Sequence, residues 1–410
     1  MAITLDGTTS TVKADVYRGY TGTGSQMGGD LDLNSNDITG TGDIPAANLT
    51  GTLPAINGSS LTGISAQKNL IINGDFNVWQ RGTSFAACSD NEYQADRFKY
   101  SKVGAMVHTI SRDTDVPTVA ESGHLSNYSL KVDCTTIDSS IAAGDECHIF
   151  HSIEGYNFKC LAQKAMTLSF WHKHTKTGTY CVSFRNTGHN QSYVAEYTQS
   201  VTDTWEKATI NISASPTGGT WDYTNGVGIK IGWSIAMGSN FHTTADAWAG
   251  SSRAATSNQV NACDNAANNF MLSQVQLEAG SVATDFEVKN YADELARCKR
   301  YYERINSAGL ANFFYGQGQA NTTTAAKMVF NWEVEKRVAP TMSMSAASDF
   351  MLTEADEFAQ DMTNFEFSVP SVSSVRFLIT SSGASLTAGH ATIMRDDGNG
   401  NSWVDAAAEL

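Results

Sequence analysis

Three aromatic side chains lie in segments dense with Gly, Asn, Ser and Thr, where a ring can reach solvent. They are Trp221, Trp248 and Tyr193. A flat ring packs on the apolar face of a pyranose while nearby amides and carboxylates bond to its hydroxyls. Because loop residues are mostly exposed, we predict these three as carbohydrate-binding residues. The alternative is ordinary packing, including contact between subunits. Three other tryptophans lie within or beside strand patterns and are expected in a core: Trp171, Trp205 and Trp233.

The spacing of histidines and acids gives little support for a metal site. Two histidine pairs could face one another on a helix or a strand, but neither has an obvious third ligand: His148/His151 and His172/His174. Asp397, Asn399 and Asn401 have the one-three-five spacing of a calcium loop, yet Ser402 and Ala408 replace its turn Gly and closing Glu. We therefore predict a β-hairpin turn there and no bound metal.

The cysteines indicate neither a disulfide framework nor a zinc ribbon, because they are odd in number and never form a C-x-x-C pair. They are Cys88, Cys134, Cys147, Cys160, Cys181, Cys263 and Cys298. We expect reduced, mostly buried thiols. No cofactor is predicted, and chelators and reductants are expected to leave the protein folded.

Composition excludes several function classes. The 410 residues carry 42 acidic and 27 basic side chains, a net charge of −15, and no Lys/Arg cluster forms the basic stripe that nucleic-acid binding requires. No run approaches a membrane span, and the start resembles no export signal. G-x-S-x-G, P-loop and H-E-x-x-H motifs are missing, and acidic pairs such as Asp145/Glu146 are only sequence neighbours. We predict no enzyme.

The segments that must position these residues have the pattern of a mainly β chain. From Asn69, short apolar or alternating runs separated by Gly, Asn, Asp and Ser predict an antiparallel jelly-roll β-sandwich over 69–289. Asn290 before an acidic first turn predicts a short helix within a connector at 290–308 that runs into a strand. Further alternating runs predict a smaller C-terminal β-sandwich over 309–410.

Residues 31–68 contain a short repeat of Ile/Leu-Thr-Gly and Ile/Leu-Pro-Ala with a period of about eleven. One chain cannot bury so few aliphatic groups, but identical chains wound together can pool them on an axis. We predict a homotrimeric stem with these core residues: Ile38, Ile44, Leu49, Leu53, Leu61 and Ile64. The alternative is a flexible Gly/Thr linker.

Several stretches resemble bacteriophage tail fibres. Residues 27–34 (MGGDLDLN) and the repeats resemble fibre stems, while 69–76 (NLIINGDF), 275–280 (VQLEAG), 283–287 (ATDFE) and 298–302 (CKRYY) resemble a fibre-tip module akin to carbohydrate-binding jelly rolls. The resemblance implies a homotrimeric virion fibre, made in the host cytoplasm, whose residues 1–30 attach to a phage tail or baseplate protein. In such jelly rolls Asp75 would ligate a structural calcium, but the expected acid near Ser273 is missing.

The sequence thus predicts a tail-fibre adhesin that attaches the phage to a host cell-surface glycan by multivalent binding. A polysaccharide-degrading tail hydrolase is the first alternative. The second is a purely structural fibre that bridges the tail to another receptor-binding protein.

Overall fold

A computed structural model describes residues 68–354 and 359–410. The attachment segment and the stem, apart from Lys68, lie outside the described residues, and with them the six predicted axis positions: Ile38, Ile44, Leu49, Leu53, Leu61 and Ile64. Among the helices of the described part, none combines the length and apolar character needed to cross a membrane.

Two antiparallel sheets face each other in a jelly-roll sandwich. In spatial order the six-stranded sheet contains β1 (Ser84–Phe85), β4 (Val107–Asp113), β5 (Ser129–Thr136), β13 (Asn269–Ala279), β7 (Met166–His174) and β10 (Glu206–Ile212). The seven-stranded sheet contains β12 (Trp248–Ala249), β9 (Ser192–Gln199), β8 (Gly178–Arg185), β11 (Val227–Met237), β6 (Glu146–Glu154), β3 (Phe98–Val103) and β2 (Glu92–Tyr93). Two short helices lie in the connections, α1 (Val119–Ser122) and α2 (Gly155–Phe158), together with a 3-10 turn, Ser239–Phe241.

The apolar residues that alternate along these strands meet between the sheets. The Trp233 ring lies 5.8 Å from that of Phe170 and 6.2 Å from that of Phe98, so side chains of both sheets share one core. The predictions of a mainly β chain and a jelly roll are confirmed. The first apolar run of the predicted sandwich, Leu70–Ile72, forms no strand: Leu70 N donates to Leu277 O, and the Asn69 side chain accepts from Ile71 N and Leu277 N. Trp171 and Trp205 are buried as predicted, in a separate small cluster with Met271.

The predicted connector helix is present as α3 (Tyr291–Lys299). The Asn290 side chain accepts a hydrogen bond from Ala292 N at 2.9 Å, which satisfies one of the free amides of the first turn. The chain then enters β14 (Tyr302–Asn306), the strand expected at this point.

The C-terminal residues differ from the predicted sandwich, because six strands close into a small barrel. They are, in order around it, β15 (Phe314–Ala320), β16 (Ala325–Asn331), β20 (Ser374–Ser381), β19 (Ala359–Ser368), β18 (Phe350–Thr353) and β21 (Ala391–Asp396). Beside it lies a three-stranded sheet of β14, β22 (Trp403–Ala407) and β17 (Thr341–Met344). The predicted hairpin at the chain end is therefore wrong: β21 and β22 belong to different sheets.

Buried ion pairs join the C-terminal residues to the sandwich. The Arg300 guanidinium donates to both carboxylate oxygens of Glu154 at 2.7 and 3.0 Å, and Tyr301 Oη donates to the same group at 2.6 Å. Arg97, which is 1% exposed, pairs with Glu409, and its guanidinium stacks on the Tyr301 ring at 3.7 Å. These contacts hold the chain end against β3 and β6.

Candidate functional site

Two of the predicted sugar-binding residues meet at one edge of the sandwich. The rings of Trp221 and Trp248 lie 5.8 Å apart at 72°, both half-buried, and Trp221 stacks on Phe158 of α2 at 5.7 Å. We call Phe158, Tyr193, Trp221, Tyr223 and Trp248 the aromatic edge. Both indole N–H groups donate to backbone carbonyls: Trp221 to Gly218 O in its own loop, and Trp248 to Ser213 O just after β10.

A network of amides holds the loop that carries Trp221. The Asn186 side chain donates to Thr220 O at 2.8 Å and to Asn190 Oδ1 at 2.7 Å, and Thr220 N donates to Asn190 Oδ1 at 3.0 Å. Gly219 has φ +89°, and a Cβ there would lie 2.5 Å from Gln191 Cγ. The loop therefore needs glycine at this position. A loop fixed in this way loses little conformational freedom when a ligand binds.

Tyr193 lies elsewhere than the sequence suggested. It belongs to β9, is 3% exposed, and packs behind Trp248 with ring centroids 5.5 Å apart. The expectation that Tyr193 occupies a loop is wrong, because β9 begins at Ser192 and Tyr193 is its second residue. Tyr193 supports the Trp248 ring from inside and offers no exposed face of its own.

The outward face of the seven-stranded sheet carries a cluster of cations that sequence reasoning missed. Lys230 Nζ, Lys99 Nζ and Arg185 Cζ lie 4.7, 5.5 and 5.8 Å from the centroid of the Phe150 ring. Within the described ranges, none of the three has a carboxylate within 4 Å, and the buried Arg185 Nε lacks a hydrogen-bond partner. No local pattern marks this cluster, since β3, β6, β8 and β11 contribute one residue each.

We call Lys99, Arg185 and Lys230, with the Phe150 ring between them, the cationic face. Burial lowers the pKa values of its charged side chains, and mutual repulsion adds to this effect at Lys230. Burial, together with the charges of Arg185 and Lys99, lowers the pKa of Lys230 to about 8. Burial also lowers the pKa of Arg185, against the opposing attraction of Glu146. A carboxylate, sulfate or phosphate bound here would relieve the repulsion. The face is thus chemically suited to an anionic group.

The histidine pairs do not form metal sites. His148 and His151 point to opposite faces of β6, while His172 and His174 both point into the core. His172 Nδ1 bonds to Gln199 Oε1 at 2.9 Å, and the His174 ring stacks on Tyr180 at 3.7 Å. Burial lowers the pKa of all four rings. They are neutral packing residues at pH 7.

The two carboxylates considered as calcium ligands, Asp75 and Asp397, are hydrogen-bonded to other groups of the protein. Asp75 accepts hydrogen bonds from Ser126 Oγ at 2.6 Å and contacts His124 Nε2 at 3.0 Å. Asp397 accepts from the backbone and side chain of Asn399 within its own turn. The neighbouring Asp396 organises that turn, accepting from Gly398 N, Gly400 N and Ser402.

Most of the cysteines are buried, as expected. Some of them, although they belong to different strands and a loop, lie close to one histidine. All seven are free thiols, and Cys160 is the exposed one. Candidate ligand atoms of His108, Cys147 and Cys263 lie within 4.8 Å of one another. No sequence pattern indicates this group, because its members are 39 to 155 residues apart.

Comparisons with known proteins give distant structural likenesses. No protein family matches the sequence, and no curated protein matches it. The enzymatically active domain of tailspike protein 4 of bacteriophage CBA120 aligns at 14% identity and TM-score 0.27, over 48% of this chain and 21% of that one. TmCBM61 in complex with β-1,4-galactotriose aligns at 11% identity and TM-score 0.27, over 52% of this chain and 100% of that one. The CBM22-1 xylan-binding domain of Paenibacillus barcinonensis Xyn10C aligns at 10% identity and TM-score 0.27, over 53% of this chain and 100% of that one. The chain therefore spans about a fifth of the tailspike domain.

Proposed function

We propose that this chain is a virion tail-fibre protein that attaches a phage to a host cell-surface glycan. The observation that carries the proposal is the pair of half-buried indoles, Trp221 in a loop and Trp248 on the short edge strand β12, in segments rich in amide and hydroxyl groups. The stacked support from Phe158 leaves ring surface available to a sugar while keeping the rings in place. Stacking of this kind supplies short-range contact to a pyranose.

The charge of the chain favours a short-range mechanism. At −15 per chain, long-range attraction to the usually anionic bacterial surface is weak. Affinity must then come from stacking and hydrogen bonding at each site, multiplied by the number of linked sites. A homotrimer formed by the repeat of residues 31–68 would present three such edges on one virion fibre. Residues 1–30 would attach it to the phage tail or baseplate.

The test is binding of fluorescently labelled full-length protein to host cells. We expect Trp221→Ala and Trp248→Ala each to weaken binding by about 2 kcal/mol per site, or about 30-fold, the scale of an interface hot spot. The matched control is Trp403→Ala, which removes a half-buried indole of β22 far along the chain from the aromatic edge. Each variant is first shown by circular dichroism and light scattering to keep its fold and its oligomeric state.

Three outcomes would contradict the proposal. Undiminished binding by the folded Trp221→Ala/Trp248→Ala double variant would remove the aromatic edge from the site. Release of reducing ends from host polysaccharide would favour the hydrolase. A wild-type protein that binds no host cell would favour the bridging fibre.

A further inference from the structure

A compact group of soft ligand atoms lies between the two sheets. His108 on β4 and Cys134 on β5 are directly opposite each other in the six-stranded sheet. Cys147 on β6 approaches from the seven-stranded sheet, and Cys263 from the segment that precedes β13. All four side chains are at most 3% exposed. The cluster therefore joins both layers of the sandwich and one loop.

The distances within the cluster are close to those of a coordination shell. Cys263 Sγ lies 3.7 Å from His108 Nε2, and Cys147 Sγ lies 3.8 Å from His108 Nδ1. The ligand atoms of the three residues are all within 4.8 Å of one another. With Zn–S bonds near 2.3 Å and Zn–N bonds near 2.0 Å, a tetrahedral site has N···S edges of about 3.5 Å, close to the two N···S distances found here.

The second nitrogen of the imidazole already has a partner. Tyr100 Oη lies 2.6 Å from His108 Nδ1, which orients the ring with Nε2 toward Cys263. Metal-binding histidines usually have such an outer partner, which fixes the tautomer that presents the free nitrogen to the ion. Cys147 Sγ lies 3.6 Å from the same Tyr100 Oη, so this hydroxyl contacts both the imidazole and the thiol.

The side chains of the cluster are of the types that bind soft divalent metal ions. Thiolate is the form of cysteine that ligates metals. Two thiolates and an imidazole are the donors that zinc takes in structural sites.

We propose that His108, Cys147 and Cys263 bind a zinc ion in the interior of the jelly roll, with Cys134 as the nearest fourth thiol. Each thiol that binds releases one proton to solvent, and the ion links β4, β6 and the segment before β13. This inference departs from the prediction that no metal is bound. It is independent of the glycan proposal, because none of these residues belongs to the aromatic edge.

The first measurement is the metal content of the full chain produced in zinc-supplemented medium. Inductively coupled plasma mass spectrometry should find about one zinc per wild-type chain. The double variant Cys147→Ser/Cys263→Ser should lose nearly all of this zinc. The matched control is Cys160→Ser, which removes the exposed thiol and should keep the wild-type zinc content.

The second measurement does not depend on how well the variant folds. Wild-type protein refolded with Co²⁺ in place of zinc should show the near-ultraviolet charge-transfer band of thiolate bound to cobalt. Titrating zinc into that sample should abolish the band. A folded wild-type protein with no more zinc than the double variant and no cobalt band would overturn the proposal.

Discussion

Glu409 is expected to be a major determinant of stability, because its carboxylate pairs with a buried arginine and with a second, largely buried one. Arg97 is 1% exposed and pairs with it directly, while Arg81 Nη2 lies 3.1 Å from its second oxygen at 13% exposure. Glu409→Gln keeps the shape but removes the charge, so both guanidinium groups lose their anion inside the protein. Breaking a buried pair from one side costs about 3–5 kcal/mol. For a folding unit of this size, that lowers the melting temperature by about 5 °C.

The assay is thermal unfolding followed by calorimetry and by far-ultraviolet circular dichroism at pH 7. The control is Glu333→Gln, which removes an exposed carboxylate that pairs with Lys299 and is itself 69% exposed. An exposed pair of this kind contributes about 0–1 kcal/mol, so the control should melt within about 1 °C of wild type. Equal melting temperatures for the two variants would refute the reasoning that burial determines the cost.

Three further predictions concern other parts of the chain. Burial would raise the Asp396 pKa, but hydrogen bonds from Ser402 and three backbone amides outweigh it and lower that pKa to about 2. The ionised carboxylate therefore stabilises the folded protein above pH 4, and this stabilisation is lost as the pH falls through 2. Asp396→Asn should therefore have a lower melting temperature than wild type at pH 7, and the difference should be smaller at pH 2.5. A difference that is the same at both pH values would argue against the low Asp396 pKa. Arg185→Met should raise the Lys230 pKa above about 8 in an NMR titration of the lysine side chain, because it removes a repelling charge. Gly219→Ala should weaken cell binding, since the loop must move to accept a Cβ, and unchanged binding would show that loop geometry is unimportant.

Predictions from the sequence agree best with the structure where they depend only on residues close together in the chain. Short apolar or alternating runs predicted strands of the jelly roll, among them β7, β8, β10, β11 and β13, because a strand needs only a local pattern of side chains that fits one or two buried faces. The Asn290 cap predicted the start of α3 for the same kind of reason, since a cap bonds within its own first turn. Trp221 and Trp248 were predicted together from the polar composition of their segments, and the structure brings their rings within 5.8 Å, although Trp248 lies on β12 and not in a loop.

Tertiary structure decided which strands pair and which distant residues meet. Strand periodicity does not specify the partner, so it could not show that six C-terminal strands close into a barrel or that β21 and β22 separate. It also could not place Tyr193 behind Trp248, or bring His108, Cys147 and Cys263 together from separate strands and a loop. Pairing between distant strands is set by the fit of two whole sheets around one core. The sequence by itself determined the strands and pointed to the two half-buried indoles, and the packing of the sheets determined the cationic face and the thiol–imidazole cluster.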